Sequence, residues 1–184
     1  DKYRLIRQEA LKQTSKNPIV IAIDLMRLPC VSPNGPEHHF LDGASFLVAY
    51  KNAGGKIDIE ESLDLLAKRS IGMPGAMCGY WGVCGSAASI GASLSIIHGT
   101  GPLSDNDYYK QTMEYTSSAI EKMSQIGGPR CCKRNAFISL REAALFVRSK
   151  YGIAMELSSP IVCEFSLFNK QCLGKRCPFN PKSK

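Results

Sequence analysis

The sequence predicts an all-α domain, and three observations carry that prediction. Glycine and proline cut the chain into stretches of helical length. Several of those stretches open on capping residues. Within them, apolar residues recur at three- and four-residue steps. The single stretch that could alternate as a strand is Ile161–Phe165.

Residues 3–15 read as a polar helix. Asn17 followed by Pro18 is an N-cap with proline at the first helical position, opening a short apolar helix that must stop before Pro29. A loop from Val31 to Pro36 leads to a helix from Glu37 to Asn52, ended by Gly54 and Gly55. Asp58 with Glu61 makes a capping box for a helix reaching Ser70. Gly85 opens a small-residue helix, Ser86–His98. Ser104 with Asp107 repeats the capping box. Behind it Tyr109, Met113, Thr116, Ile120 and Met123 form an amphipathic stripe closed by Gly127 and Gly128. Asn135 caps the last helix, with Phe137, Leu140, Ala144, Val147 and Tyr151 on one face and Gly152 as its stop. These Met and aromatic stripes are core positions.

A chain of 184 residues with 44% hydrophobic content is sized for one domain with a substantial core. We expect a single domain over 1–184, with 160–184 as a basic, cysteine-bearing C-terminal segment. No run approaches the roughly 18 apolar residues of a membrane span. A cytoplasmic protein with no membrane partner is therefore expected, and a first residue of Asp1 rather than Met suggests a trimmed N-terminus. The net charge of +7 is weighted toward the end: no acid follows Glu164, whereas Lys170, Lys175, Arg176, Lys182 and Lys184 do. Such charge could attract a small anionic substrate or RNA, or favour thiolates. Only Phe168 and Phe179 interleave with it, so the stacking pattern of a single-strand binder is thin.

Eight cysteines are the most informative feature: Cys30, Cys78, Cys84, Cys131, Cys132, Cys163, Cys172 and Cys177. Their even number allows disulfides. Against that stand the domain's size, the lack of a visible signal peptide and the adjacency of Cys131 and Cys132. Reduced thiols near glycine and proline turns read instead as metal ligands.

They fall into three groups, with Cys30 apart. Cys78 and Cys84 lie in Gly72–Gly85, where five glycines and a proline within fourteen residues suit close backbone approach rather than helix or strand stability. Cys84 precedes a helix start, which should lower its thiol pKa. Neither a Walker motif nor a dinucleotide fingerprint is present. Cys131 and Cys132 share a turn with Arg130, Lys133 and Arg134 before the helix expected at Asn135, again favouring thiolates. Cys163, Cys172 and Cys177 occupy the basic end, with spacings that match neither a bacterial ferredoxin nor a zinc ribbon. Seven clustered thiols exceed what one zinc can use, so an iron–sulfur cluster, of the 4Fe-4S kind, is preferred over zinc.

Glu37, His38 and His39 start a helix. Consecutive side chains there point about 100° apart, so the two imidazoles do not share a face. They remain candidates for acid–base work or ligation, with Glu37 also explained as a dipole-complementing residue. His98, ahead of Gly99, reads as a C-terminal dipole partner.

The motifs Gly35–Leu41 (GPEHHFL), Pro74–Gly85 (PGAMCGYWGVCG), Gly127–Arg134 (GGPRCCKR) and Asn169–Phe179 (NKQCLGxxCPF) together resemble an uncharacterised family of cysteine-rich prokaryotic proteins from anaerobes and methanogens, over about residues 17–180. Some of those proteins are fused to methyltransferase-type or radical-enzyme domains. The resemblance implies an anaerobic, oxygen-sensitive, cytoplasmic protein, a methyltransferase or radical-enzyme partner, and modification or sulfur chemistry.

Two functions fit. In the first, an enzyme, Cys163, Cys172 and Cys177 hold a 4Fe-4S cluster with one iron open as a Lewis acid for lyase, desulfidase or sulfur-transfer chemistry. Cys78, Cys84, Cys131 or Cys132 then add a reactive thiolate or further ligands, and His38 or His39 handles the proton. In the second, zinc or a closed cluster stabilises a module that binds a partner protein or RNA. The enzyme is the preferred reading.

Overall fold

In a computed structural model, residues 1–183 are described and form an all-α domain. Lys184, the last of the C-terminal cations and of the 160–184 segment, lies outside the described residues. The helices are α1 (Lys2–Ala10), α2 (Pro18–Met26), α3 (His38–Asn52), α4 (Ile59–Ile71), the single turn α5 (Met77–Tyr80), α6 (Gly85–His98), α7 (Asp107–Ser124) and α8 (Cys132–Tyr151). After α8 the described residues form only three 3₁₀ turns, at Ser166–Phe168, Gly174–Arg176 and Pro181–Ser183.

The centre of the molecule is α3. Every residue from His38 to Tyr50 is buried, as expected of a helix covered on all sides. It packs against α1, α2, α4, α6 and α8, and α7 closes over α6 and α8. Small residues set the closest crossing: the Gly43 amide donates to Ser89 Oγ at 3.0 Å. A β-carbon at Gly43 would collide with Ser89 Oγ and Leu66 Cδ2, so only glycine fits there. The small-residue run of α6 thus lets the helix that carries His38 and His39 approach the helix that follows Cys84.

Several caps stand as the sequence predicts. Asn17 Oδ1 accepts from the Ile19 and Val20 amides at 2.9 and 3.3 Å. Asp58 Oδ1 accepts from the Glu61 amide at 3.0 Å. Four expectations need correcting. The first helix ends at Ala10 rather than 15, because Asn52 Nδ2 donates to the carbonyls of Gln13 and Ser15 and holds that stretch as a link. The cap of α7 is Asn106, whose side chain accepts from Tyr109 N, whereas Ser104 Oγ accepts from Gly101 N in the preceding turn. The last helix begins at Cys132, not at Asn135. Cys131 is extended (φ −149°) and its sulfur accepts from Arg134 N at 3.4 Å, the place a serine or aspartate usually takes. Finally, Ile161–Phe165 is not a strand: the described residues contain none, and this stretch meets the chain end through one backbone bond, Cys163 N to Phe179 O at 2.7 Å.

Candidate functional site

The start of α8 divides two cysteine-lined spaces. Cys131 and Cys132 are neighbours in sequence, but Cys132 lines only the large cavity, together with Cys78 and Cys84, whereas Cys131 lines both that cavity and the small pocket. The start of α8 is anchored by Asn34, whose Oδ1 accepts from the Cys132 amide at 2.9 Å.

The large cavity, about 260 Å³, is bounded by the starts of three helices. His38, His39 and Asp42 come from α3, Cys84 and Ser86 from the start of α6, and Cys132 and Asn135 from α8; α5 adds Cys78, the turn before it Gly75 and Ala76, and Arg130 and Cys131 line the cavity ahead of α8. That turn carries Ala76 in the left-handed region at φ +62°, a conformation that costs an alanine about 1 kcal/mol. Asn135, expected as a cap, instead donates from Nδ2 to Cys84 Sγ at 3.2 Å.

The polar groups here are buried and mostly unsatisfied. Asp42 is fully buried, and neither carboxylate oxygen has a hydrogen-bond partner among the described residues. The Nδ1 atoms of His38 and His39 are likewise unpartnered there. A buried carboxyl without donors is costly unless a cation or proton answers it. His38 Nδ1 stands 3.7 Å from Asp42 Oδ1, beyond a hydrogen bond. On the other side of that ring, Lys133 Nζ lies 3.2 Å from Nε2 and donates to Ser32 O at 2.9 Å. The same Nε2 lies 3.3 Å from the Ser32 carbonyl oxygen, so Lys133, Ser32 and His38 form one polar cluster beside Asp42. Burial, opposed by the charge of Asp42, lowers the pKa of His39 and keeps that ring neutral.

The thiols depart from expectation. The helix starts were expected to depress them, but burial pushes Cys84 upward, Asp42 adds to it, and the Ser86 amide and Asn135 only partly oppose it. Cys132 is raised to about 12, by burial first, against a Gly35 amide, with Asp42, Cys84 and Cys131 adding to the rise. A helix terminus favours a thiolate, but desolvation and neighbouring negative charge outweigh it here. A metal ion reverses that balance by taking the place of the protons.

The small pocket, about 20 Å³, joins Cys131 to Cys163, Cys172 and Cys177, so the C-terminal trio gains a fourth member from the start of α8. N–H groups donate to two of these sulfurs. Asn169 Nδ2 donates to Cys131 at 3.5 Å, Gly174 N to Cys172 at 3.4 Å and Asn180 Nδ2 to Cys172 at 3.6 Å. The Phe165 and Phe179 amides favour the thiolates of Cys163 and Cys177. Burial nevertheless raises Cys177, and raises Cys163 to about 11 with help from the other three sulfurs. All eight cysteines are free thiols. Among the described residues no three His, Cys, Asp or Glu side chains form a ready-made metal-binding group.

Other candidates lie elsewhere. Glu37 does not line the large cavity. Its Oε1 accepts from Ser32 N at 2.7 Å and Lys2 Nζ at 3.2 Å, clamping the 32–36 loop to α1. Burial works to raise its pKa, but these donors outweigh that and hold it at about 2. His98 stacks on Tyr108 at 3.9 Å, and burial lowers its pKa, which replaces the dipole-partner role with an aromatic one. Cys30 packs against the core away from both spaces. Asp42 is the residue that sequence reasoning missed. Its signal was an acid amid apolar residues of α3, four residues after His38 and therefore on the same face.

The fold and these two spaces define an all-α domain organised around cysteine-lined cavities. The chain belongs to a family of unknown function, DUF5714, whose model matches residues 6–180. No curated protein and no solved structure matches it. Among the described residues, no helix is long and apolar enough to cross a membrane.

Proposed function

We propose that this protein is a cytoplasmic, oxygen-sensitive iron–sulfur enzyme with a 4Fe-4S cluster in the large cavity, ligated by Cys78, Cys84 and Cys132. The supporting observation is the meeting of these three thiols, from three separate segments, with the unpartnered Asp42 around one space of about 260 Å³. That space has room for a cluster beside a small substrate. The pocket of Cys163, Cys172 and Cys177, at about 20 Å³, has room for about one water-sized group, so the cluster is better placed beside Cys132 than in the C-terminal group.

Three thiolates leave one iron free to act as a Lewis acid on a hydroxyl, thiol or sulfur leaving group, which supplies lyase, desulfidase or sulfur-transfer chemistry. The chain's own groups do the rest. Arg130 lines the cavity and pairs with the carboxylate of a small anionic substrate. His39, neutral and buried, takes a proton through its free Nδ1. Asp42, backed by His38 and Lys133, holds the positive side of the reacting group.

Anaerobic purification with iron and sulfide analysis tests this reading. About four irons and four sulfides per chain are expected, lost in Cys78→Ser and Cys84→Ser. A protein that takes up no iron under anoxic reconstitution would overturn it.

A further inference from the structure

We infer that Cys131, Cys163, Cys172 and Cys177 form a second, separate metal centre: a closed four-thiolate zinc site that fastens the C-terminal segment to the start of α8. Four cysteines are the full complement of a tetrahedral structural zinc, with no coordination position left over. They come from three places in the chain: the cap of α8, the stretch after Ile161, and the turn from Cys172 to Cys177. The space between them is what decides the metal. At about 20 Å³ it admits one ion and not an eight-atom cluster.

The surroundings are those of a thiolate site. Backbone and asparagine N–H groups donate to two of the four sulfurs, Cys131 and Cys172, as the groups around metal-bound ligands do. Four thiolates on zinc carry a net charge of −2. Arg134 and Lys133 line the same pocket and offset it. Arg134 is positioned for this by its own bonds to the carbonyls of Gly127 and Pro129, at 2.8 and 2.9 Å. Binding is an exchange without redox change: four S–H groups give up four protons to solvent and one zinc ion takes their place.

The segment has a use for such a fastening. Beyond Tyr151 the described residues form no helix longer than a 3₁₀ turn, and few of them are buried: Met155, Ile161, Cys177, Phe179 and Asn180. A chain end with so little core frays unless it is tied down.

Elemental analysis of the whole chain, purified anaerobically with zinc and iron both supplied, tests the assignment. One zinc per chain is expected. Cys172→Ser and Cys177→Ser should lose the zinc and keep any iron, whereas Cys78→Ser and Cys84→Ser should do the reverse. Cys172→His, which keeps a zinc-competent ligand, should retain it, and Cys30→Ser should change nothing. Stripping zinc from the wild-type chain with a chelator should raise trypsin cleavage at Lys170, Lys175 or Arg176 by about tenfold; this readout does not depend on a variant folding. Zinc without iron would sustain this centre and sink the cluster of the large cavity. Iron lost from Cys172→Ser, or zinc content unchanged in it and in Cys177→Ser, overturns the assignment.

Discussion

The two faces of the first turn of α8 meet opposite chemical fates although one residue separates them. On the Cys131 side, four sulfurs share a tight pocket, and N–H groups donate to two of them, Cys131 and Cys172. On the Cys132 side, Cys78, Cys84 and Cys132, with Cys131 at the boundary between the two spaces, share a roomy cavity with a carboxylate and two imidazole nitrogens that have no partner among the described residues. A satisfied, space-filled set of ligands stabilises, whereas an unsatisfied, spacious one is held ready for a bound group. The comparison teaches that cysteines grouped by sequence need not belong together. Cys131 is the extended N-cap and Cys132 the first helical residue, and of the two only Cys131 also reaches the pocket of the C-terminal cysteines.

The largest effect comes from breaking that division. Cys131→Ser and Cys132→Ser differ by one position, yet the first should abolish zinc binding and leave iron uptake intact, while the second should abolish iron uptake and leave zinc. Elemental analysis of the two variants side by side reads this directly. Equal loss of both metals in both variants would mean that the turn works as one unit.

Asp42→Asn sharpens the same contrast through stability. Removing a buried carboxyl whose oxygens find no donor should stabilise the metal-free protein by about 1 kcal/mol, a few degrees in thermal midpoint. In the metal-loaded protein the sign should invert, because the carboxylate then has a partner. Thermal unfolding with and without metal measures both. Destabilisation in the metal-free state would instead make Asp42 an ordinary structural residue.

Much of the fold was legible because its signals are local. Asn17 before Pro18 and Asp58 before Glu61 cap helices from within their own turns, and no distant residue competes with them. The site was legible only by residue type. Its grouping depends on which side of α8 each sulfur faces, and Asp42 becomes conspicuous only when no donor reaches it in three dimensions. The thiol pKa values were misjudged for the same reason: helix starts are visible in sequence, whereas the desolvation of Cys84 and Cys132 comes from elements far away along the chain.

A smaller perturbation reaches the large cavity without touching a ligand. A β-carbon at Gly85 would collide with the His39 ring, so Gly85→Ala must displace the imidazole or open the gap between α3 and α6. Overpacking of this kind costs about 1–3 kcal/mol. The loss should appear in thermal unfolding together with weaker iron retention, while zinc content stays at the wild-type level. Loss of zinc as well would show that the two sides of α8 are mechanically coupled.

The smallest effect tests a boundary far from either cavity. Asn106 accepts from the Tyr109 amide at 3.4 Å and opens α7; Ser104, the cap expected from the capping-box pattern, is engaged with Gly101 N at 2.9 Å in the turn before it. Asn106→Ala should therefore cost about 1 kcal/mol, the usual value of an N-cap. Ser104→Ala should cost less, since it removes one turn bond and no helix cap. Chemical denaturation of the two variants ranks them, and the reverse order would restore the start of α7 to the position the capping-box pattern suggests. Both metals should remain bound in each variant, because Asn106 and Ser104 lie at the opposite end of α7 from Ile120, Met123 and Ser124, which line the space beside Cys78 and Cys84.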